Sequence, residues 1–475
     1  MLPIITLGLP LLASIIVLFL KNNQWIKQFS LIVSLLIFIS SLFYFPSFMS
    51  ATNGSLIKIE FAKIFFSMDG LSYLLLLLTS FATPLIITSS FIDNQGRSNI
   101  FYSLFFLAIF ALTAVFTTQN ALMFYIYWEL ALIPVYFICG FWGGEGREKI
   151  TIKFFIYTLF GSLLMLAALI YLYVHTPYPH SFDFKAIYQV TLSTVEQSWI
   201  FWAFFIAFAV KIPIFPFHTW QPDTYTVAPI TATMLLAGIM LKMGVYGMIR
   251  ILLPITHLAV LQWGNITSLL AITGIVYASV IAIRQTDSKR MFAYASMAHV
   301  GLLAVAVLTM NKNALQGAVF QMLSHGVNVI GLFFIAGIFI NRTAGSKISN
   351  MGGIARIAPR FAFFFMIILL ATVALPLTNG FVGEFLMLLG IFQTNYVFAV
   401  LAGTGIIFGA GYMLWLYQRT MYGKLNPSIV SFPDLTISEL CVVSAITVVI
   451  FWMGLFPSTL LHIAEPSINE ILKTI

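Results

Sequence analysis

The stretch KIPIFPFHTW, residues 211–220, interrupts a hydrophobic segment and places a lysine directly before the interruption. Proline removes a backbone hydrogen-bond donor and clashes with the preceding helical turn, so this stretch predicts a break in a helix. A second hydrophobic segment contains LPLTNG, residues 375–380, where proline and glycine again fall in mid-span. Irregular backbone inside a membrane is tolerated only where protein buries it or water reaches it. The two interruptions therefore predict a membrane protein whose working site lies at its broken helices.

The rest of the chain is strongly hydrophobic. Of its 475 residues, 60% are hydrophobic and only 8% are charged, against about 25% charged residues in a soluble domain. A membrane-spanning helix needs about 20 apolar residues. We therefore predict an all-α, polytopic membrane protein with about 14 transmembrane helices. The predicted segments cover residues 2–20, 28–48, 68–92, 99–117, 121–143, 151–175, 199–217, 228–253, 262–284, 288–309, 314–340, 361–391, 396–418 and 438–462.

The order of these segments predicts an internal repeat within a single membrane domain, residues 1–475. Segments four to eight (99–253) and nine to thirteen (262–423) each contain five helices, and the broken helix is the fourth in each block. Because each block has an odd number of spans, the second block is inverted relative to the first. Inverted repeats with paired broken helices are typical of secondary transporters.

The basic residues predict the orientation in the membrane. Fifteen of the 23 lysines and arginines lie on one side of the predicted helices, six lie on the other, and Lys211 and Lys242 lie within the helices. Because cytoplasmic loops carry the excess of basic residues, both termini are expected on the non-cytoplasmic side of a bacterial inner membrane. The six residues of the sparser side are Lys58, Lys63, Lys185, Arg250, Lys312 and Lys473.

Several classes of function are disfavoured. The two cysteines, Cys139 and Cys441, are far apart and form no C-x-x-C motif, so neither an iron–sulfur cluster nor a structural zinc site is predicted. No glycine-rich nucleotide-binding motif is present. The net charge of +8 is spread over short loops, which is expected of membrane topology rather than of nucleic-acid binding. We predict no cofactor, no metal and no redox centre, so the driving force comes from an ion gradient or a partner.

Four ionisable residues lie deep inside hydrophobic segments: Glu129, Lys211, Lys242 and Glu384. A charged group at the centre of a bilayer costs roughly 2.5–3.5 kcal/mol on insertion scales, so such residues usually have a function. Removal from water favours a neutral lysine, whereas a nearby carboxylate favours a charged one. A glutamate–lysine pair whose separation or hydration changes can therefore gate protons. The alternatives are a static ion pair and a protonated, hydrogen-bonded glutamate.

Two histidines extend the set of candidate proton-transfer residues. His299 and His325 each lie about eleven residues into a predicted segment, with Ser296, Ser324 and Asn328 nearby. A free histidine titrates at about pH 6.5, which suits a relay that accepts and releases protons. The alternative is that each histidine is only a polar, hydrogen-bonding residue of a membrane helix.

Other residues near the breaks suggest positioning roles. Glu384 follows Gly380 by four residues and is the expected terminal proton site, because open backbone gives water a place to enter. Trp220 and Asp223 follow the first break and are expected to cap the half-helix or shape an entrance. Asp287, in RQTDSKR, is expected to cap the helix that begins there.

Five motifs resemble the proton-pumping, antiporter-like membrane subunits of respiratory complex I. The similarity covers most of segments four to thirteen. The motifs are WELALIPVYF (128–137), KIPIFPFHTWQPDTYTVAPI (211–230), LLAGIMLKMGVYG (235–247), RQTDSKRMFAYASMAHVG (284–301) and LTNGFVGEF (377–385).

The resemblance implies roles for the buried residues. It implies that Glu129 and Lys211 form the gating pair, that Lys242 and the histidines form a central relay, and that Glu384 is the terminal proton site. A glutamate at Glu384 is similar to the M-type branch, since L-type and N-type members usually have lysine there. The implied partners are the other membrane-arm subunits, including L-type and N-type neighbours, with quinone chemistry elsewhere in the complex. The alternative is a subunit of a sodium/proton antiporter or membrane-bound hydrogenase complex.

Overall fold

A computed structural model describes residues 2–50, 57–61, 64–91, 96–343, 345–427, 429 and 431–474. Within these residues the chain is mostly helical, and eleven helices are long and apolar enough to cross a membrane. This confirms the prediction of a polytopic helical membrane protein. The helices are Leu2–Phe19 (α1), Asn23–Leu42 (α2), Phe45–Met49 (α3), Gly70–Ser89 (α4), Ser98–Thr117 (α5), Ala121–Trp142 (α6), Arg147–His175 (α7), Phe184–Ile187 (α8), Thr194–Lys211 (α9), Trp220–Val227 (α10), Ile230–Ile255 (α11), His257–Ile283 (α12), Ser288–Leu308 (α13), Lys312–Arg342 (α14), Pro359–Thr372 (α15), Asn379–Thr394 (α16), Tyr396–Met421 (α17), Ile437–Leu455 (α18) and Ser458–Thr474 (α19).

Side-chain caps define where several helices begin. The first amide groups of a helix have no partner within the helix, and asparagine and aspartate can accept from them. The Asn120 side chain accepts from the amides of Leu122 and Met123 at the start of α6. The Asp287 carboxylate accepts from the Arg290 amide at 2.9 Å, which confirms the predicted cap of α13.

The first predicted break is present. Helix α9 ends at Lys211 and α10 begins at Trp220. The indole Nε1 of Trp220 donates to the Val210 carbonyl at 2.9 Å, and this bond is buried. The side chain therefore satisfies a carbonyl that the interrupted helix leaves without a helical partner.

The second break separates α15, which ends at Thr372, from α16, which begins at Asn379. Asn328 of α14 donates through Nδ2 to the Ala371 carbonyl at 3.0 Å. Gly380 lies against the same carbonyl, and a Cβ atom at this position would come within 2.1 Å of the Ala371 oxygen. The predicted break at residues 375–380 is thus confirmed, and glycine is required by the close approach of the two half-helices.

The core of the bundle contains the helices that carry the predicted site. Nearly all residues of α11, α13 and α14 are buried, whereas α2, α17 and α18 expose large apolar side chains on one face. Helix α11 contains two five-residue π-helical segments, Leu236–Met240 and Met248–Leu252. It approaches α14 closely, since a Cβ atom on Gly326 would lie 2.9 Å from the Gly238 carbonyl oxygen. The central polar residues are therefore shielded from lipid.

Two elements differ from the sequence-based expectation. An antiparallel hairpin pairs Ile57–Phe61 (β1) with Ile64–Met68 (β2) before α4. The predicted last segment, 438–462, is divided, because α18 ends at Leu455 and α19 begins after Pro457. Helix α19 packs against the start of α4, where the Leu71 amide donates to Ser467 Oγ at 3.4 Å. Lys63, which entered the charge count, lies outside the described residues.

Candidate functional site

Lys211 is held against an aromatic ring at the end of α9. Its side chain is 2% exposed, and its ammonium nitrogen lies 5.2 Å from the centroid of the Trp128 ring. Lys211 Nζ has no hydrogen-bond partner among the described residues. The Trp128 ring also packs on Phe208, one turn before Lys211, with 5.7 Å between ring centroids. A cation–π contact in a desolvated site is attractive, and it holds this lysine without a fixed counter-ion.

Glu129 is next to Trp128 on α6, but it does not form an ion pair with Lys211 here. No ion pair within 4.0 Å joins the two side chains in the described part of the protein. Glu129 is half-buried, and its Oε1 atom is buried without a hydrogen-bond partner. The two groups remain close enough to interact electrostatically. The structure therefore records the predicted gating residues in a separated arrangement.

Lys242 occupies the middle of α11, between the two π-helical segments. It is 1% exposed, and its ammonium donates to the Ala237 carbonyl at 2.7 Å. The same nitrogen lies 2.8 Å from His325 Nδ1. A charged ammonium can only donate, so Nδ1 must then accept and the ring proton of a neutral His325 sits on Nε2.

His325 continues the polar row towards the second block of helices. Its Nε2 atom lies 3.1 Å from Ser296 Oγ. The rings of His325 and His299 are 6.3 Å apart between centroids, which is too far for a direct hydrogen bond. A cavity of about 10 Å³ lies between them, and Gln321, Asn328 and Thr372 also line it. A cavity of about this size holds roughly one water molecule, so the gap between the rings is suited to a single bridging molecule.

His299 and Glu384 form the other end of the row. His299 Nδ1 lies 2.8 Å from Glu384 Oε1, and the two side chains are 8% and 2% exposed. Gln321 Nε2 donates to the same carboxylate oxygen at 3.3 Å. Glu384 Oε2 and His299 Nε2 are buried without partners in the described structure. A carboxylate and an imidazole at this distance can exchange a proton directly.

The structure thus brings four of the six predicted residues together and leaves two apart. Lys242, His325, His299 and Glu384 form one buried row across α11, α14, α13 and α16. Glu129 and Lys211 form a separate site on α6 and α9. The two sites belong to helices in close contact, since a Cβ atom on Gly247 of α11 would lie 2.5 Å from the Phe208 ring of α9.

Charged residues surround the start of α10. Asp223 pairs with Lys153 at 3.0 Å and with Arg290 at 3.1 Å. Lys289 is buried, and its ammonium donates to the carbonyls of Thr226, at 3.1 Å, and Ala228. Asp223 therefore ties α7 and α13 to the half-helix, and Lys289 caps its carboxyl end. Sequence reasoning assigned Lys289 to a loop, because nothing in the local sequence marks it as buried.

Two buried ion pairs were also not predicted from the sequence. Arg250 binds Asp69 at 2.5 Å, and Arg342 binds Glu439 at 2.5 Å, with side chains between 5% and 12% exposed. The partners are 181 and 97 residues apart, so no local spacing pattern could identify them. Within the described residues no group of three or more histidine, cysteine, aspartate or glutamate side chains is placed to hold a metal ion.

Comparisons by sequence match nearly the whole chain. Residues 118–409 match the family model described as "NADH:quinone oxidoreductase/Mrp antiporter, TM", and residues 1–118 match "NADH-ubiquinone oxidoreductase chain 4, amino terminus". The chain is 39% identical to NADH-quinone oxidoreductase subunit M of Rickettsia conorii, covering 99% of both proteins. It is 34% identical to NADH-ubiquinone oxidoreductase chain 4 of Marchantia polymorpha, over 98% of this chain and 96% of that protein.

Comparisons of structure agree. The fold matches a chain of respiratory complex I from Thermus thermophilus with a TM-score of 0.89 and 28% identity, covering 99% of this chain and 100% of that one. It also matches a chain of the Mrp complex from Dietzia sp. with a TM-score of 0.85, over 99% of this chain and 97% of that one. The identity to the second is 16%, so that likeness shows the fold alone.

Proposed function

Because this chain belongs to the NADH:quinone oxidoreductase/Mrp antiporter transmembrane family, we propose that it is a proton-translocating membrane-arm subunit of a complex I-type NADH:quinone oxidoreductase. Full-length relatives at 39% and 34% identity are subunit M and chain 4 of such enzymes. Other subunits oxidise NADH and reduce quinone, and this chain uses the released energy to move protons. It therefore acts as part of a translocating enzyme without a redox centre of its own.

The buried row from Lys242 to Glu384 is the observation that carries this proposal. A proton passes from Lys242 Nζ to His325 Nδ1 over 2.8 Å, while the proton on Nε2 leaves towards Ser296 and the cavity. His299 accepts a proton on Nε2 from the cavity and gives its Nδ1 proton to Glu384 Oε1. Each ring is neutral again after transfer but has changed tautomer, so rotation of the ring or a reverse proton shift between its nitrogens must restore the starting form before the next transfer.

Lys211 and Glu129 load this row. With Lys211 on the Trp128 ring, the charged lysine is stabilised less than it would be beside the Glu129 carboxylate, so burial makes its proton more easily released towards Lys242. Movement of Lys211 towards Glu129 would favour the charged lysine and reload it. The separated arrangement supports a gate, because a static ion pair would hold the two groups in contact.

The finer architecture is proposed on the same basis. Eleven long helices, together with α1 and the two broken pairs α9–α10 and α15–α16, amount to fourteen spans. We place inverted repeats at residues 99–253 and 262–423 of a single domain, because each block has its break in the fourth span. L-type and N-type subunits are the proposed neighbours in a bacterial inner membrane.

Both termini are assigned to the non-cytoplasmic side. The balance of basic residues was fifteen against six. Lys289, Arg342 and Arg250 are buried or ion-paired rather than free loop charges. Without these three, thirteen basic residues lie on the predicted cytoplasmic side and five on the other side, which still favours this orientation.

The decisive experiment is purification through a tag on this chain, followed by reconstitution in vesicles. Co-purification with flavin and iron–sulfur subunits is expected, and NADH with quinone should drive proton movement. Lys242→Ala should remove most of that movement, whereas Lys473→Ala, at the exposed end of α19, should not. A complex that lacks redox subunits and exchanges sodium for protons would instead establish the antiporter alternative.

A further inference from the structure

A buried ion pair outside the relay lies on the same helix as Lys242. Arg250, two turns beyond Lys242, donates to Asp69 at 2.5 Å, and their side chains are 11% and 12% exposed. Asp69 also caps α4 by accepting from the Ser72 amide at 2.9 Å. Burial raises the pKa of Asp69, but the charge and hydrogen bond of Arg250 and the bonds from Ser72 outweigh it, so this pKa lies below its ordinary value. The carboxylate therefore stays ionised and holds the guanidinium in place.

Hydroxyl groups connect this ion pair to the neighbourhood of Lys242. Arg250 lies 3.5 Å from Ser72 Oγ, and Ser72 Oγ lies 3.3 Å from the hydroxyl of Tyr246. Tyr246 is fully buried and sits four residues after Lys242 on an α-helical stretch, so the two side chains are neighbours on one face. The Tyr246 hydroxyl also donates to the Phe116 carbonyl at 3.0 Å. A row of buried hydroxyls thus runs from the end of the bundle where α19 covers α4 to Tyr246, which lies about one helical turn from Lys242.

We propose that Arg250, held by Asp69, is an electrostatic barrier that closes this row and keeps protons on that side of the membrane from reaching Lys242 directly. The inference rests on the proposed function, because it concerns back-flow into a relay that pumps. Ser72 and Tyr246 would otherwise offer a route past His299 and Glu384.

The barrier follows from the chemistry of arginine. Its guanidinium is permanently protonated in proteins, so it cannot pass a proton on. An unpaired unit charge about 6 Å away, at an effective dielectric of about 20, lowers the occupancy of a proton roughly 100-fold, and the carboxylate of Asp69 offsets part of this repulsion. The guanidinium also covers the Tyr246 ring, with 5.5 Å from Cζ to the ring centroid. The charge therefore lies beside the tyrosine ring and within 3.5 Å of Ser72 Oγ, the next hydroxyl of the row.

If the Asp69–Arg250 pair only holds α4 and α11 together, two variants should behave differently from what a charge barrier predicts. Asp69→Asn breaks the ion pair but keeps the positive charge of Arg250. The double variant Asp69→Asn with Arg250→Gln replaces both charges with amides that can still hydrogen-bond. If the charge is the barrier, only the double variant leaks, whereas a clamp is weakened in both.

The test measures passive proton flux into vesicles that contain the intact complex, without NADH, using a trapped pH-sensitive dye. The double variant should raise the flux several-fold, and Asp69→Asn should leave it at or below the wild-type value, because that change removes the counter-charge of Arg250. Adding Tyr246→Phe to the double variant should bring the flux down again. Arg342→Gln is the matched control, because it breaks the other buried arginine pair, which is not connected to Lys242 by these hydroxyls.

Equal flux in the double variant and wild type would overturn the proposal, and so would equal leakage in Asp69→Asn and the double variant. Failure of the double variant to assemble would also count against it, since that outcome assigns the pair to folding. Failure of the barrier and failure of the proposed function give different results. If the wild-type complex shows no NADH-driven proton movement, pumping is refuted. If the wild type pumps and the double variant does not leak protons, only the barrier is refuted.

Discussion

Glu384 and His299 are joined by a 2.8 Å bond in a place nearly closed to solvent. Since each has a second polar atom that is buried and unpaired, the pair has a free position on both sides through which a proton can enter and leave. An imidazole and a carboxylate in such contact are suited to proton transfer, whereas the arginines of the other two buried ion pairs cannot release a proton.

Glu384→Gln should block the last transfer. Glutamine keeps the shape of the side chain but has no carboxylate to receive the His299 proton, so NADH-driven pumping should fall about 100-fold, the order expected for loss of one acid–base group. Glu384→Lys keeps a titratable group and should retain more pumping than glutamine. Glu465→Gln, at an exposed glutamate, is the control, and wild-type pumping in Glu384→Gln would refute the terminal role.

Lys211→Arg should assemble normally and fail to pump. Arginine can stack on Trp128 as lysine does, but it cannot release a proton at these pH values. The amount of assembled complex is measured on a native gel, and proton pumping is measured in vesicles, so a defect in assembly can be distinguished from a defect in pumping. Full turnover with arginine would mean that Lys211 is a static cation and that protons take another route.

The residue types of the site were predictable, but their pairing was not. Charged and imidazole groups in apolar segments stand out because of their cost in a membrane. The distances that join Lys242 to His325 and His299 to Glu384 depend on how four helices pack, which no local pattern contains. The separation of Lys211 from Glu129 likewise depends on the position of the Trp128 ring.

At the scale of secondary-structure elements, both broken helices are stabilised by a side chain from outside the break. Trp220 serves the carbonyl of Val210, and Asn328 serves that of Ala371. In a membrane an unsatisfied carbonyl has no water to bind, so these bonds help to stabilise the two breaks.

Asn328→Leu should destabilise the protein by about 0.5–1.5 kcal/mol, because it removes a 3.0 Å bond and leaves the Ala371 carbonyl with only the longer bond, 3.3 Å, from the Ala374 amide. The change should appear as a lower thermal unfolding temperature of the purified protein. Asn99→Leu is the matched control, since Asn99 also donates to a main-chain carbonyl, that of Leu18, but at the surface. Equal stability of both variants would show that the Ala371 carbonyl finds another partner.

The breaks were predictable from sequence because proline and glycine act locally on the backbone. The end of α18 was not predicted, although a proline also follows it. Apolar residues continue on both sides of Pro457, so a search for hydrophobic segments passes through the boundary. The β1–β2 hairpin is too short to be separated from a loop by composition.

At the scale of the whole molecule, α19 packs against two helices that are far apart in sequence, α4 before the first block and α14 in the second. It packs on α4 through Ser467, and its Glu465 binds Lys312 at the start of α14 at 2.7 Å. Helix α19 therefore links the start of the helix that carries His325 to the end of the bundle at which Asp69 and Arg250 lie.

This link should weaken in acid. The hydrogen bond from Lys312 lowers the pKa of Glu465 below 4.5. A lowered folded-state pKa gives stability that is present above the unfolded-state pKa and is lost as the pH falls through the folded-state value. The groups are 47% and 40% exposed, so the gain is only about 0.2–1 kcal/mol. Unfolding temperatures of Glu465→Gln and the wild type should differ at pH 7 and converge in acid; a constant difference would contradict this.

The π-helical segments of α11 determine which mutations the site around Lys242 can tolerate. Each wider turn carries an extra residue, so it resembles a one-residue insertion that the chain has retained. Deleting one residue from Leu236–Met240 would restore ordinary winding and rotate the preceding part by about 100° relative to Lys242. The Ala237 carbonyl would leave Lys242, and Gly238 would turn away from Gly326. A single in-frame codon deletion here should thus be more damaging than most substitutions, because it changes the phase of a whole helix.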